Sequence, residues 1–325
     1  MSVARFGLKS LLPPGVSLIS GPGCPVCVTD QRDIDAYLAI GALPGVTLAC
    51  FGDMIRVPGS ATSLERLRAE GADVRVVYSP IDAVEIARGD PGRQVVFFGV
   101  GFETTIPAIA LAVKVAAEGK VSSFSVYCAH KTIPAALRAL LATDELGISG
   151  LLLPGHVTTI IGSGAYSFLA DQLGVTCAVA GFEPVDILLA VEAILARIEQ
   201  GTAAIDNAYP RAVRAEPNPR AAELIDEVFV TSDALWRGLG SIPGSGVALA
   251  AKYAVHDASL RFADTLAAVP PPKQTTCKCG DVLRGITRPS QCPHFGTTCT
   301  PTDPIGPCMV SSEGACAAAY KYEGV

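Results

Sequence analysis

Short apolar runs alternate with segments of helical periodicity through the first 200 residues, and this alternation constrains the fold more than any other feature. The runs at 16–19, 47–51, 74–78, 95–100, 123–128, 150–153 and 176–180 have the length of strands. Continuous stretches such as Val95-Val96-Phe97-Phe98 suit strands covered on both faces, as in a parallel sheet. Between them, 34–42, 63–70, 81–88, 105–118, 133–143, 165–173 and 184–200 place apolar residues at helical spacing. Thr62 with Glu65 predicts a capping box, and Pro184 suits a first helical turn. The expected class is α/β, with two parallel-sheet βαβ domains.

Composition shifts suggest how the chain divides. Residues 207–219 are rich in Pro, Arg and Ala, and 238–246 (GLGSIPGSG) reads as a flexible stretch. Val269-Pro270-Pro271-Pro272-Lys273 is a clearer boundary, because consecutive prolines favour extended, semi-rigid backbone. The expected division is a first α/β domain over 1–92, to which 240–268 could return, a second over 93–239, and a cysteine-rich region over 270–325. Half the residues are hydrophobic and only 17% are charged, which excludes global disorder. A formal charge of -6 offers no basic face for phosphates, so neither nucleic acid nor an anionic membrane surface is an expected partner. The uncharged stretch 146–170 is long enough to span a bilayer, but Pro154, His156 and five glycines interrupt it, so no membrane span is expected. The sequence after Met1 has no apolar leader pattern, and a cytoplasmic, reducing setting is expected.

Nearly every expected strand is followed by a glycine-containing or polar segment: 21–27, 52–59, 101–105, 130–132, 154–159 and 181–184. In parallel sheets such loops converge at the carboxyl ends of the strands, where ligands bind. Cys24-Pro-Val-Cys27 places two thiols one helical turn apart, which suits a dithiol/disulfide couple or two metal contacts, with inert burial as the alternative. Glu103, Thr104 and Thr105 fit either a threonine cap or an anion contact at a helix start. Asp53 and Arg56 read as an ion pair or as ligand contacts. His156, and His130 with Lys131, read as metal or proton-transfer groups or as histidines bonded to backbone. No Ser–His–Asp arrangement, Walker loop or nicotinamide fingerprint is present.

The chain has 11 cysteines, and Cys277, Cys279, Cys292, Cys299, Cys308 and Cys316 crowd its last 49 residues. In a reducing compartment, clustered cysteines are more often metal ligands or redox groups than structural disulfides. Four of the six could hold zinc or an iron–sulfur cluster, and spacing does not choose the four. His294 reads as a further ligand or as a neighbour that orients one.

The segments GPGCPVC (21–27), FGDMIRVPGS (51–60), VRVVYSP (74–80), FFGVGFETT (97–105), PGHVTTIIG (154–162), VAGFEP (179–184), WRGLG (236–240) and MVSSEGACAA (309–318) resemble the HypD family of hydrogenase maturation factors, in the family's order and over essentially the whole chain. The resemblance implies two α/β domains around a cleft and a scaffold, rather than a conventional turnover enzyme. On it the Fe(CN)2CO group of [NiFe]-hydrogenase is assembled with a HypC-type small chaperone, and a HypE-type protein donates cyanide. It implies a [4Fe–4S] cluster held by Cys279, Cys292, Cys299 and Cys316, with Cys277 and Cys308 as extras. Cys24 and Cys27 match the family's redox pair, which exchanges electrons with the cluster and lies near the assembled iron. In the family a Cys-Gly-Gly-His-Thr-His segment directly precedes FGL…LLP, whereas here Met1-Ser-Val-Ala precedes Arg5-Phe-Gly-Leu. Truncation or degeneration, and a first domain short at its N-terminus, are the expectations. The alternative function is a cluster-containing thiol–disulfide oxidoreductase or electron-transfer protein without scaffold activity; a third is a partner-docking module.

Overall fold

A computed structural model describes residues 1–142, 147–273 and 275–324. Strands β1 (Val46–Cys50), β2 (Asp73–Val76), β3 (Gln94–Gly99) and β4 (Phe124–Cys128) form one parallel sheet in the order β2-β1-β3-β4. A second parallel sheet has the order β5-β6-β7, from Gly150–Pro154, Thr176–Ala180 and Ile205–Asn207. Strands β8 (Phe229–Trp236) and β9 (Gly240–Leu249) make an antiparallel hairpin.

Strand β3 shows why this sequence makes a two-sided sheet. Val96 and Phe98 face one core, where Tyr37 stacks on Phe98 with ring centroids 4.1 Å apart. Val95 and Phe97 face the other, against Ile109 and Val113 of the helix Ile106–Glu118. The Tyr37 hydroxyl lies 2.8 Å from the carbonyls of both Ala49 and Val96, which pins its helix, Gln31–Gly41, to the sheet. The strand order reverses between β1 and β3, the kind of switch point at which the loops of a parallel sheet diverge.

The first core continues through Leu153 and Val179 of the second sheet, Trp236 of the hairpin, and Leu283 and Cys308 of the C-terminal region. The molecule is therefore mixed α/β with parallel sheets, and its cysteine-rich region is seated on the core.

Several expectations change. Residues 16–19 form no strand. The 92/93 boundary falls inside a hydrogen-bonded sheet, since Val96 of β3 pairs in register with Leu48 of β1. The glycine-rich 238–246 stretch is the hairpin's tip and second strand; its Gly and Pro residues conceal an edge ladder. Ser63, not Thr62, caps the helix Leu64–Ala69, its hydroxyl accepting from Arg66 N. The expected helix 165–173 is a 3-10 turn (Ser163–Tyr166) running into Ser167–Asp171. The ends of the expected segments at Thr143 and Leu146, with Gln274 and Val325 of the cysteine-rich region, lie outside the described residues. Pro184 opens the helix Pro184–Glu199, as its fixed φ favours.

Candidate thiol site

Cys24 caps the short helix Pro25–Val28: its Sγ accepts from Cys27 N at 3.2 Å, and Pro25 takes the first turn, where no N–H is needed. The two thiols, Cα atoms 5.3 Å apart, are joined as a disulfide. Both are buried, Cys24 at 5% exposure and Cys27 at 0%. The Cys24 Sγ lies 3.3 Å from the hydroxyl of Ser311, itself buried at the end of the helix Pro307–Val310.

That helix also forms one wall of a small chamber. All six C-terminal cysteines line it, with apolar cover from Val282, Phe295 and Met309 and no carboxylate. Gly306 is needed there, because a Cβ at that position would lie 2.5 Å from Cys277 Sγ. The Cys279 and Cys308 sulfurs are 2.8 Å apart, both buried. The Cys308 contact, helped by the charge of Arg237, lowers the Cys279 thiol below its ordinary pKa, while contacts with Cys279 and Cys316 and burial raise Cys308. Burial, reinforced by the surrounding thiols, pushes Cys277 up to about 12. Among the described residues, no three His, Cys, Asp or Glu side chains converge tightly enough for one metal ion. An apolar chamber ringed by soft sulfur donors fits a multinuclear iron–sulfur group better than a single zinc. The expected ligand Cys279 lies closest to the expected extra Cys308, which also contacts Cys316; Cys277, Cys292 and Cys299 line the chamber with them. Threonines occupy both His294 ring nitrogens at 2.8 Å, Thr276 at Nε2 and Thr298 at Nδ1, so His294 is held by hydroxyls.

The hairpin tip joins this chamber to the CxxC helix. Arg237 N donates to Val28 O at 2.9 Å, Nε to Thr29 O at 3.0 Å and Nη1 to Gln31 Oε1 at 3.0 Å. The neighbouring Gly238 meets the backbone of Gly280, the residue after Cys279, with no room for a Cβ. Phe102 stacks on Trp236 at 6.1 Å and so brings the loop after β3 to the same place.

The remaining expected residues separate. Glu103 is buried and accepts from Ile133 N through Oε1 at 2.8 Å, while its Oε2 has no partner among the described residues. Burial raises its carboxyl to about 7. It therefore caps a neighbouring helix, Ile133–Leu141, whereas the Thr105 hydroxyl only donates back to Phe102 O and Thr104 is exposed. His130 is buried with neither ring nitrogen bonded among the described residues, and burial lowers it to about 3. Lys131 is buried against Asp33, 3.2 Å away, and Ala129 O. Arg56 donates to Pro301 O and forms no ion pair with Asp53 among the described residues. His156 is exposed, its ring 4.4 Å from that of Phe182. Sequence reading did not single out Ser311, Asp33 or Arg237; the only available signal was that Ser311 and Arg237 fall within family-like segments.

The family model described as "HypD: Hydrogenase formation hypA family" matches residues 1–323. The chain is 46% identical over 328 residues to the hydrogenase maturation factor HypD of Rhodobacter capsulatus, covering 99% of this chain and 86% of that protein. It is 44% identical to the factors of the same name from Azotobacter vinelandii, over 328 residues, and Escherichia coli (strain K12), over 326, each with 99% of this chain and 86% of the relative covered.

Proposed function

The chain belongs to the HypD family of hydrogenase maturation factors, and from that premise we propose that it is a redox scaffold for assembling the Fe(CN)2CO group of [NiFe]-hydrogenase. In this reading the iron fragment is cargo, a HypC-type chaperone shares it and a HypE-type protein donates cyanide. The carrying observation is that all six C-terminal cysteines line one chamber whose wall helix ends on the CxxC disulfide.

The chamber's sulfur set suits a [4Fe–4S] cluster, which would supply single electrons. The Cys279–Cys308 contact favours Cys277, Cys292, Cys299 and Cys316 as its ligands, replacing Cys279 in the set expected from the family pattern. Cys279 and Cys308 then form a second dithiol beside the Cys24–Cys27 pair. Ser311 and the core hold the two pairs on one helix end, and Cys24 and Cys27 present sulfur suited to low-valent iron once reduced.

Anaerobic purification with iron, sulfide and zinc analysis tests the premise: equal iron and labile sulfide are expected, and zinc without sulfide overturns it. Cys277→Ala should abolish the cluster's visible absorbance while Cys279→Ala retains it; the reverse restores the original set. Infrared bands of CN and CO in the complex with the chaperone test the scaffold role. An intact cluster and titratable CxxC without those bands would favour a thiol–disulfide oxidoreductase, the second reading that two adjacent thiol pairs allow. Among the described residues no helix is long and apolar enough to cross a membrane.

A further inference from the structure

The chain between Cys299 and Ile305 is a tight loop that returns to its own cysteine. The Cys299 backbone is fixed twice, its N–H donating to His294 O at 2.9 Å and its carbonyl accepting from Gly296 N at 3.2 Å. Thr300 and Asp303 close a turn by exchanging backbone hydrogen bonds of 3.2 Å each, and Pro301 and Pro304 limit its freedom. Where the loop ends, the Ile305 N–H donates to Cys299 Sγ at 3.3 Å, and the Ile305 side chain packs with Phe295, Cys299 and Met309. The turn is also held from 245 positions away, because Arg56 Nη1 donates to Pro301 O at 3.1 Å. Arg56 follows β1 and is flanked by Met54 and Val57, which are buried in the first core. Its backbone is thereby anchored while its exposed side chain reaches the turn.

We propose that Arg56 is a positioning residue for the iron–sulfur group: it holds the Pro301 turn so that the Ile305 amide stays aimed at the Cys299 sulfur, and this hydrogen bond sets how readily the group is reduced. The inference rests on reading the chamber as a [4Fe–4S] site. It does not depend on whether Cys277 or Cys279 completes the ligand set, because Cys299 belongs to both sets. Reduction adds one electron to the group, makes and breaks no bond, and increases the negative charge on the ligand sulfurs. An N–H aimed at such a sulfur is a stronger partner for the reduced state than for the oxidised one, so the donor raises the reduction potential. A backbone donor cannot be lost by side-chain rotation. It is withdrawn by moving the turn, which the Arg56 contact opposes.

The test uses the full chain, purified anaerobically with its iron–sulfur group, in a potentiometric titration with dithionite followed by electron paramagnetic resonance. Salt at about 1 M, where screening acts over about 3 Å, removes the effect of an exposed charge as such. Ile305→Pro, which lacks the N–H, should make the group about tenfold harder to reduce, about 59 mV for a one-electron couple. Ile305→Ala, which keeps the N–H and loses the apolar cover, should not. Arg56→Gln should give a smaller shift in the same direction, and Arg56→Lys, which keeps a donor, should recover part of it. After exchange into heavy water, the deuteron coupling of the reduced group should weaken in Arg56→Gln, which loss of charge alone does not cause. The Arg56 variants and the deuteron coupling carry the test even where Ile305→Pro fails to fold. An unchanged potential in loaded Ile305→Pro, an equal shift in Ile305→Ala, or an unaltered deuteron coupling in Arg56→Gln overturns the inference alone. A natural chain without iron and labile sulfide overturns the cluster reading and this inference with it.

Discussion

Glu103 holds a proton into the neutral range because its carboxyl is enclosed by the core and only one of its oxygens is bonded among the described residues. Its folded pKa, about 7, lies above the ordinary 4.5, so the folded state binds the proton more tightly than the unfolded one. Its contribution to stability is complete below about pH 4.5 and is lost as pH rises to about 7, to the extent of about 3 kcal/mol. His130 has the opposite sign: buried and lowered from 6.5 to about 3, it favours the fold above pH 6.5 and costs stability as pH falls toward 3. Glu103→Gln keeps an acceptor for Ile133 N and cannot ionise. Urea unfolding at pH 5 and pH 8 should show the variant gaining on the natural chain by about 2–3 kcal/mol across that interval; a constant difference would mean that Glu103 does not titrate there. Neither residue's state was legible in the sequence, where Glu103 read as one member of a strand-to-helix turn. Ionisation depends on what distant segments enclose, and the donor to Glu103 comes from 30 positions away.

At the scale of elements, most of the parallel sheets could be read directly. Strand β3 was legible because burial on both faces demands an unbroken apolar run, and Val95 to Phe98 supply it. The hairpin β8–β9 was not, because β8 alternates weakly and β9 carries three glycines and a proline in ten residues. Its tip gives a direct test of the contact that joins hairpin to chamber. Gly238 has φ +79° and faces the Gly280 backbone, whereas Gly244 has φ +64° and a Cβ there would make only an ordinary contact with Thr231, 3.7 Å away. Gly244→Ala should cost about 1 kcal/mol, from the left-handed backbone alone. Gly238→Ala should cost about 2–4 kcal/mol, because steric displacement of the Cys279 helix adds to the same strain. Equal losses for the two, measured by denaturant midpoints, would show that the tip does not bear on the chamber.

Across the whole molecule, one apolar core links both sheets, the hairpin and the cysteine-rich region. The six clustered cysteines were legible as a site from their density alone, but not the contact of Cys279 with Cys308, 29 positions apart. Such pairing is set by how the helices Cys279–Leu283 and Pro307–Val310 pack, which spacing does not encode. If the region is truly continuous with the core, Leu283→Ala should cost about 2–5 kcal/mol and lower one cooperative transition. A separate early transition confined to the C-terminal region would show that it unfolds by itself. The burial of the CxxC pair has a kinetic consequence. A dissolved reductant cannot strike Cys27 at 0% exposure without a local opening, so its turnover should be gated by that fluctuation. The reduction rate measured against rising phosphine concentration should bend to a plateau equal to the opening frequency, and unlimited proportionality would show an ungated path. Such a gate insulates the disulfide from the bulk thiol pool, leaving its charge state to whatever reaches it from inside the protein.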